Sequence, residues 1–178
     1  MKFIISISFL INLMGCGGVL IHPEQELKNP QIKEINQILR SQLQSLSDDN
    51  YNSYRSHFVD HWIRPARSIR SPFYTKTRIS MNFLKEVLKG VNELKIGFVS
   101  TYDIKYSRYG IETYYKVPLM AKDDYDTVVN FMDIIFRCQQ NKVIRADGLN
   151  DGCYIDNIHY DRRALEDLEL DIEWRLYP

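Results

Sequence analysis

The length and charge of the chain limit the classes of protein to which it can belong. Its 178 residues are enough for one globular domain with its own core. The 23 Lys and Arg balance the 23 Asp and Glu, which argues against a general nucleic-acid binder, since such proteins carry a large basic excess. The 12 Tyr and 8 Phe are typical of strands and of packing surfaces with polar tips.

Residues 1–16 carry the pattern of a secretory signal peptide. Lys2 supplies a positive charge, and residues 3–14 form a mostly apolar run that is shorter than the ~20 residues a transmembrane helix needs. The run leads into LMGC (residues 13–16), which resembles the lipobox of bacterial lipoproteins, although Met14 is a less usual residue at its position. The resemblance implies that residues 1–15 are removed and that Cys16 is lipidated and then acylated at its new amino terminus.

The same resemblance implies a location. Gly17 follows the cysteine, whereas an Asp there would resemble the inner-membrane retention signal of enteric bacteria. We therefore expect an outer-membrane protein that faces the periplasm and is held by several acyl chains, because one chain gives only marginal binding. The alternative is a short buried strand or helix with a chance cysteine.

If Cys16 carries lipid, an even pair of cysteines remains, Cys138 and Cys153. Such a pair in an oxidising compartment favours a disulfide. The residues between them include RADGLNDG, which is typical of turns. Two free thiols are one alternative, and a metal-binding pair is another, for which only His159 lies nearby as a further ligand.

Residues 16–28 are predicted to be a tether, with the His22–Pro23 step blocking a helix at that point. Residues 29–178 are predicted to form a single domain that begins with a helix over residues 29–47. Asn29 can cap this helix, and Pro30 suits its first position. An apolar stripe recurs at helical spacing along it and comprises Ile32, Ile35, Ile38, Leu39, Leu43 and Leu46.

Two more helices are predicted before the strands begin. The second covers residues 51–62, and its shared aromatic face contains Tyr51, Tyr54, Phe58 and Trp62. A loop with Pro65 and Pro72 follows. The third helix covers residues 77–90 and ends at Gly90.

After Gly90 the apolar residues alternate as in a strand. One long strand is predicted over residues 93–106, and the turn SRYG returns the chain into a partner strand that places Pro118 at an edge or a bulge. Further strands are predicted at residues 126–138, where a helix is the alternative, at 153–160 and at 168–177.

The order of these elements defines the fold class. Three N-terminal helices followed by a run of strands predict an α+β fold, with the helices packed on a curved antiparallel sheet. This order resembles the NTF2-like fold, and HFVDHW (residues 57–62) is similar to the end of the second helix in that superfamily. The resemblance implies a cone with an apolar pocket, but the superfamily contains enzymes, binding domains and scaffolds, so the fold alone does not define the function.

His57, Asp60 and His61 form the most suggestive catalytic pattern. Two histidines at i and i+4 on a helix can share a metal ion, and HFVDH resembles the inverted zinc-protease motif, with Asp60 in place of its glutamate. No third ligand is recognisable downstream, and both histidines can equally be polar edges of a packed helix. We therefore predict no metal, no cofactor and no catalytic residue, and keep a pocket enzyme that uses His57 or His61 as an alternative.

Two surfaces are candidates for binding. The first is a basic stretch without intervening acids, formed by Arg64, Arg67, Arg70, Lys76 and Arg78. Arginine suits carboxylates and phosphates, whereas the alternative is a solvated loop. The second is a group of tyrosines around the first hairpin, namely Tyr102, Tyr106, Tyr109, Tyr114 and Tyr115. Tyrosine favours interfaces, and cross-strand packing explains these residues equally well.

We predict from the sequence a lipid-anchored periplasmic domain that binds a protein or a small ligand and does not catalyse a reaction. A more specific version is an immunity or inhibitor protein against a toxin that acts in the periplasm. The sequence shows no nucleophile motif such as G-x-S-x-G and no glycine-rich phosphate loop.

Overall fold

The computed structural model describes residues 23–63, 76–90, 94–107, 110–122, 127–141 and 151–168. In these ranges helices pack against one antiparallel sheet, which confirms the predicted α+β class. The predicted signal peptide, Cys16 and all but the first residue of the predicted strand 168–177 lie outside them. None of the helices in these ranges has the length and apolar character needed to span a bilayer.

The first described element is helix α1 (Pro23–Lys28), in a segment predicted to be a tether. Its Gln25 amide pairs with the backbone of Val99: Nε2 donates to the Val99 carbonyl at 2.7 Å, and Oε1 accepts from the Val99 N–H at 3.1 Å. The tether prediction is therefore wrong for residues 23–28, which join the fold. Proline is favoured in the first helical turn because its missing N–H would find no partner there, so Pro23 begins a helix instead of blocking one.

Helix α2 (Pro30–Ser47) confirms the first predicted helix. The Asn29 side chain caps it by accepting a hydrogen bond from the Gln31 N–H at 2.9 Å. The predicted apolar stripe is buried along its length, and only Leu43 is partly exposed. Local signals therefore define both the start of this helix and the face it packs on the sheet.

The prediction of one helix over residues 51–62 is wrong. The segment forms two short helices, α3 (Tyr51–Arg55) and α4 (Asp60–Ile63), separated by extended chain. Between the two helices the His57 carbonyl accepts from the Ile155 N–H at 2.7 Å, and the Val59 N–H donates to the Ile155 carbonyl at 3.1 Å. The helix breaks because its backbone bonds to a distant strand.

The predicted aromatic face survives this break. The rings of Tyr54 and Phe58 lie 5.1 Å apart, those of Phe58 and Trp62 lie 5.4 Å apart, and all three side chains are buried. The Trp62 indole Nε1 donates to the carbonyl of Asp156 at 2.9 Å. Helix α5 (Lys76–Gly90) then confirms the third predicted helix, and its buried Ser80 hydroxyl lies 3.0 Å from the hydroxyl of Tyr54.

The antiparallel sheet in the described ranges consists of β1 (Leu94–Ile96), β2 (Ser100–Ser107), β3 (Gly110–Lys122), β4 (Val128–Asn141) and β5 (Gly152–Tyr160). Strands β1 and β2 both pair with one side of β3, while β4 and β5 follow on its other side. Strands β4 and β5 confirm the strands predicted at residues 126–138 and 153–160. A short helix, α6 (Arg162–Asp167), follows β5 and is capped by Asp161.

The prediction of one long strand over residues 93–106 is wrong, because the strand breaks into β1 and β2. Residues 97–99 separate these two strands, while only residues 117–118 separate their partners on β3. Pro118 has no N–H for the ladder, which accounts for the irregularity predicted there, and its carbonyl accepts from the Gly97 N–H at 2.8 Å. A Cβ at Gly97 would lie 2.7 Å from Pro118 Cγ, so the close approach requires glycine.

A disulfide joins Cys138 on β4 to Cys153 on β5, as predicted. The two residues face each other across the ladder with their Cα atoms 4.0 Å apart, and both are buried. The Cys153 N–H donates to the Glu34 carboxylate at 2.9 Å. The bridge therefore lies where α2 contacts β5.

Candidate interaction site

The structure does not place His57 and His61 on one helix. His57 lies in the turn before the extended segment, and its ring Nε2 is 3.0 Å from the Ser41 hydroxyl. Burial lowers the pKa of His57. Within the described residues, no group of three His, Cys, Asp or Glu side chains is arranged to hold a metal ion. The helical i, i+4 arrangement that suggested a metalloenzyme is therefore missing.

Only the last two residues of the predicted basic surface can be placed. Arg64, Arg67 and Arg70 lie outside the described residues. Lys76 Nζ lies 5.7 Å from the centre of the Trp62 ring, and Arg78 Cζ lies 3.8 Å from the centre of the Tyr51 ring. Both cations contact aromatic rings of the same chain. These cation–π contacts stabilise the two side chains in their observed positions.

The tyrosines of the first hairpin divide into two groups. Tyr115 is buried, and its hydroxyl donates to Gln31 Oε1 at 2.7 Å and accepts from Asn29 Nδ2 at 2.9 Å, so it joins β3 to the start of α2. Tyr114 is also buried. Burial, with the nearby Glu112 carboxylate, raises the pKa of Tyr114, whose hydroxyl donates to Glu112 at 3.2 Å.

The second group faces solvent. Tyr102 is 60% exposed and Tyr106 is 78% exposed, and between them Ile104 is 46% exposed. Ile111, the partner of Tyr106 on β3, is 37% exposed. We call these four residues the β2 strip. Single exposed apolar residues are common, but a row of them along one strand and its neighbour makes the β2 strip a candidate interaction surface. Tyr109 lies outside the described residues.

Strand β2 also presents backbone groups. In the described part of the chain β2 pairs only with β3, so its outer edge meets no other strand. The Ile104 N–H donates to the carboxylate of Asp103 at 2.8 Å. Lys105 Nζ lies 3.9 Å from Asp103 Oδ2 and 4.4 Å from the centre of the Tyr114 ring. The edge therefore combines apolar side chains, one acid, one base and backbone groups of the kind that recruit another strand.

A small apolar cavity lies between α2, α5 and the sheet. Its volume is about 30 Å³, and its lining includes Leu39, Leu84 and Ile134. Pockets for drug-sized ligands occupy roughly 300–1,000 Å³. Gln42 also lines the cavity, and its Oε1 finds no hydrogen-bond donor among the described residues. His57 is not part of the lining of this cavity.

Comparison of the chain with protein-family models and with curated proteins gave no match. The assignment of a site therefore rests on the chemistry of the described residues. Among these, the β2 strip groups four exposed large side chains at the margin of the sheet.

The sequence predicts Tyr102 and Tyr106 as contact residues, whereas it predicts Ile104 only as a strand residue and does not mark the charges beside it as part of a site. The alternation of Tyr102, Ile104 and Tyr106 indicates one face of a strand without showing whether that face is buried. The signal that could have found the site is the pair of opposite charges placed evenly about Ile104, which is visible in the sequence.

Proposed function

We propose that the protein is a bacterial lipoprotein, anchored in the outer membrane through Cys16, whose periplasmic domain binds a protein partner. The observation that carries the binding role is the exposed β2 strip. The lipobox-like LMGC supports the anchor, and the buried Cys138–Cys153 disulfide suits an oxidising compartment. The cavity of about 30 Å³ favours a protein over a drug-sized ligand.

The finer fold assignment is part of the same proposal. Helices α2 and α5 packed on an antiparallel sheet, with an apolar cavity between them, support an NTF2-like arrangement in which three N-terminal helices cover a curved sheet. Binding through the β2 strip, at the margin of the sheet and not in an apolar pocket, is compatible with that superfamily. The specific version of the role is an immunity or inhibitor protein that neutralises a toxin in the periplasm.

The anchor is tested by growing cells with a labelled fatty acid. The wild-type protein should take up the label and fractionate with the outer membrane, whereas C16S should do neither. An unlabelled wild-type protein with an intact Met1 would refute the anchor, whatever the result for binding.

The binding role is tested by site-specific photo-crosslinking in living cells. A photoreactive residue at Tyr106 should form a discrete protein adduct, whose size and mass spectrum identify the bound chain. The matched control is the same residue at Gln37, an exposed position on α2. Absence of any adduct from Tyr106, or equal adducts from both positions, would contradict binding through the β2 strip.

A further inference from the structure

The residues of β2 are complementary to themselves when the strand is reversed. The strand reads Tyr102-Asp103-Ile104-Lys105-Tyr106, with an acid before the central isoleucine and a base after it. If two copies of β2 run antiparallel with Ile104 opposite Ile104, each Asp103 faces Lys105 of the other copy. Tyr106 lies beyond these pairs, because its counterpart would be Tyr102, which lies at a register bulge. The edge of β2 on one molecule is therefore complementary to the same edge on the other molecule.

We propose that the protein forms a two-fold homodimer in which the outer edges of two β2 strands pair antiparallel about Ile104. This inference rests on the proposed function, because it names a second copy of the chain as the partner of the β2 strip. Two-fold dimers require a self-complementary surface, and strand addition supplies main-chain hydrogen bonds between sheet edges. The two sheets would become one continuous sheet.

The backbone geometry agrees with a two-fold axis that passes between the Ile104 residues of the two copies. Along an antiparallel ladder, residues that bond to the neighbouring strand alternate with residues whose N–H and C=O point away. The Ile104 N–H donates to the Asp103 carboxylate at 2.8 Å, so this donor is occupied by a local acceptor. In the dimer the Ile104 carbonyl of the second copy takes over that N–H, and Asp103 turns to Lys105 of the second copy.

The side chains agree as well. Pairing would cover Ile104, which is 46% exposed. Cross-strand pairs of opposite charge stabilise antiparallel sheets, and two-fold symmetry forms the Asp103–Lys105 pair twice. Because an axis at Ile104 sets residue 102 opposite residue 106, the register bulge at Tyr102 limits the regular pairing to residues 103–105.

The competing occupant of this edge is the predicted strand 168–177. Strand β5 ends at Tyr160, which pairs with Met132 on β4. Lys105 on β2 is level with Gln139 of β4, through Glu112 on β3. These two levels are about 23 Å apart along β4, and β3 and β4 lie between β5 and β2. A second copy reaches the outer edge of β2 without a connection across the sheet.

Sedimentation equilibrium of the purified protein, with charge-exchange variants, tests the proposal. The wild type should show a concentration-dependent monomer–dimer equilibrium. D103K puts like charges opposite each other twice and should weaken dimerisation by about tenfold or more, as should K105D. The exchange D103K/K105D should restore dimerisation, because opposite charges again face each other. E86K, a charge reversal on α5, is the control and should dimerise like the wild type.

Cysteine trapping locates the axis. Under oxidising conditions I104C should give a disulfide-linked dimer, whereas K105C, whose counterpart is Asp103, should not. A monomeric wild type, undiminished dimerisation of D103K, failure of the double exchange to restore it, or equal trapping of I104C and K105C would each overturn the proposal. If the wild type is monomeric but Tyr106 cross-links to a different protein, the homodimer fails while the proposed binding function stands.

Discussion

The disulfide between β4 and β5 should carry a measurable part of the free energy of unfolding. Cys138 and Cys153 are separated by 15 positions in the sequence. In the chain-entropy model, closing a loop of this size stabilises the folded state by about 3 kcal/mol. For a chain of this length, each kcal/mol shifts the melting temperature by roughly 2–4 °C, so the expected shift is about 6–12 °C.

The assay is urea unfolding of oxidised and reduced protein, followed by tryptophan fluorescence, since Trp62 is buried. Both cysteines are also buried, so the reduced sample is prepared by unfolding in the presence of reductant and refolding. The variant C138A/C153A is the control, and its unfolding curve should not respond to reductant. A difference below about 1 kcal/mol between oxidised and reduced wild type would refute the loop-entropy argument.

Three further predictions concern contacts that hold the helices to the sheet. Q25A removes both hydrogen bonds to the buried Val99 and should cost about 1–3 kcal/mol in urea unfolding, while Q37A, on an exposed position, should cost almost nothing. W62F leaves the Asp156 carbonyl without its indole donor and should cost about 1–2 kcal/mol; a neutral result would show that solvent replaces the indole. Burial lowers the pKa of His57 below its ordinary 6.5, so the unfolded chain takes up a proton more readily than the folded chain. Stability should therefore fall as the pH drops below 6.5 toward the lowered pKa, and H57Q should flatten this part of the pH profile of urea midpoints; an unchanged slope would contradict the assignment.

The elements that could be predicted are those defined by neighbouring residues. Helix α2 follows from a cap at Asn29, a proline at its first position and one apolar stripe, all within the helix or next to it. Strands β4 and β5 follow from local composition. The cysteine pair follows from counting, once Cys16 is assigned to lipid. In each case the deciding interaction is close in sequence or independent of the fold.

The errors arise where distant backbone decides the structure. The break between α3 and α4 depends on the hydrogen bonds of Ile155, and the break between β1 and β2 depends on Pro118 across the sheet. Neither partner is visible from the residues that change conformation. The candidate site shows the same dependence, because alternation at Tyr102, Ile104 and Tyr106 predicts a strand, whereas topology places that strand at an edge.

The attachment of α1 to the sheet through Gln25 has a consequence for how far the domain can travel. If Cys16 holds the acyl chains, the seven residues from Cys16 to Pro23 set an upper limit of about 25 Å between the acyl chains and α1, even when fully extended. Had residues 23–28 been extended, the reach would have nearly doubled. The distance between the domain and the bilayer would therefore be limited to this span. Any molecule that binds the domain must approach the bilayer to within a comparable distance.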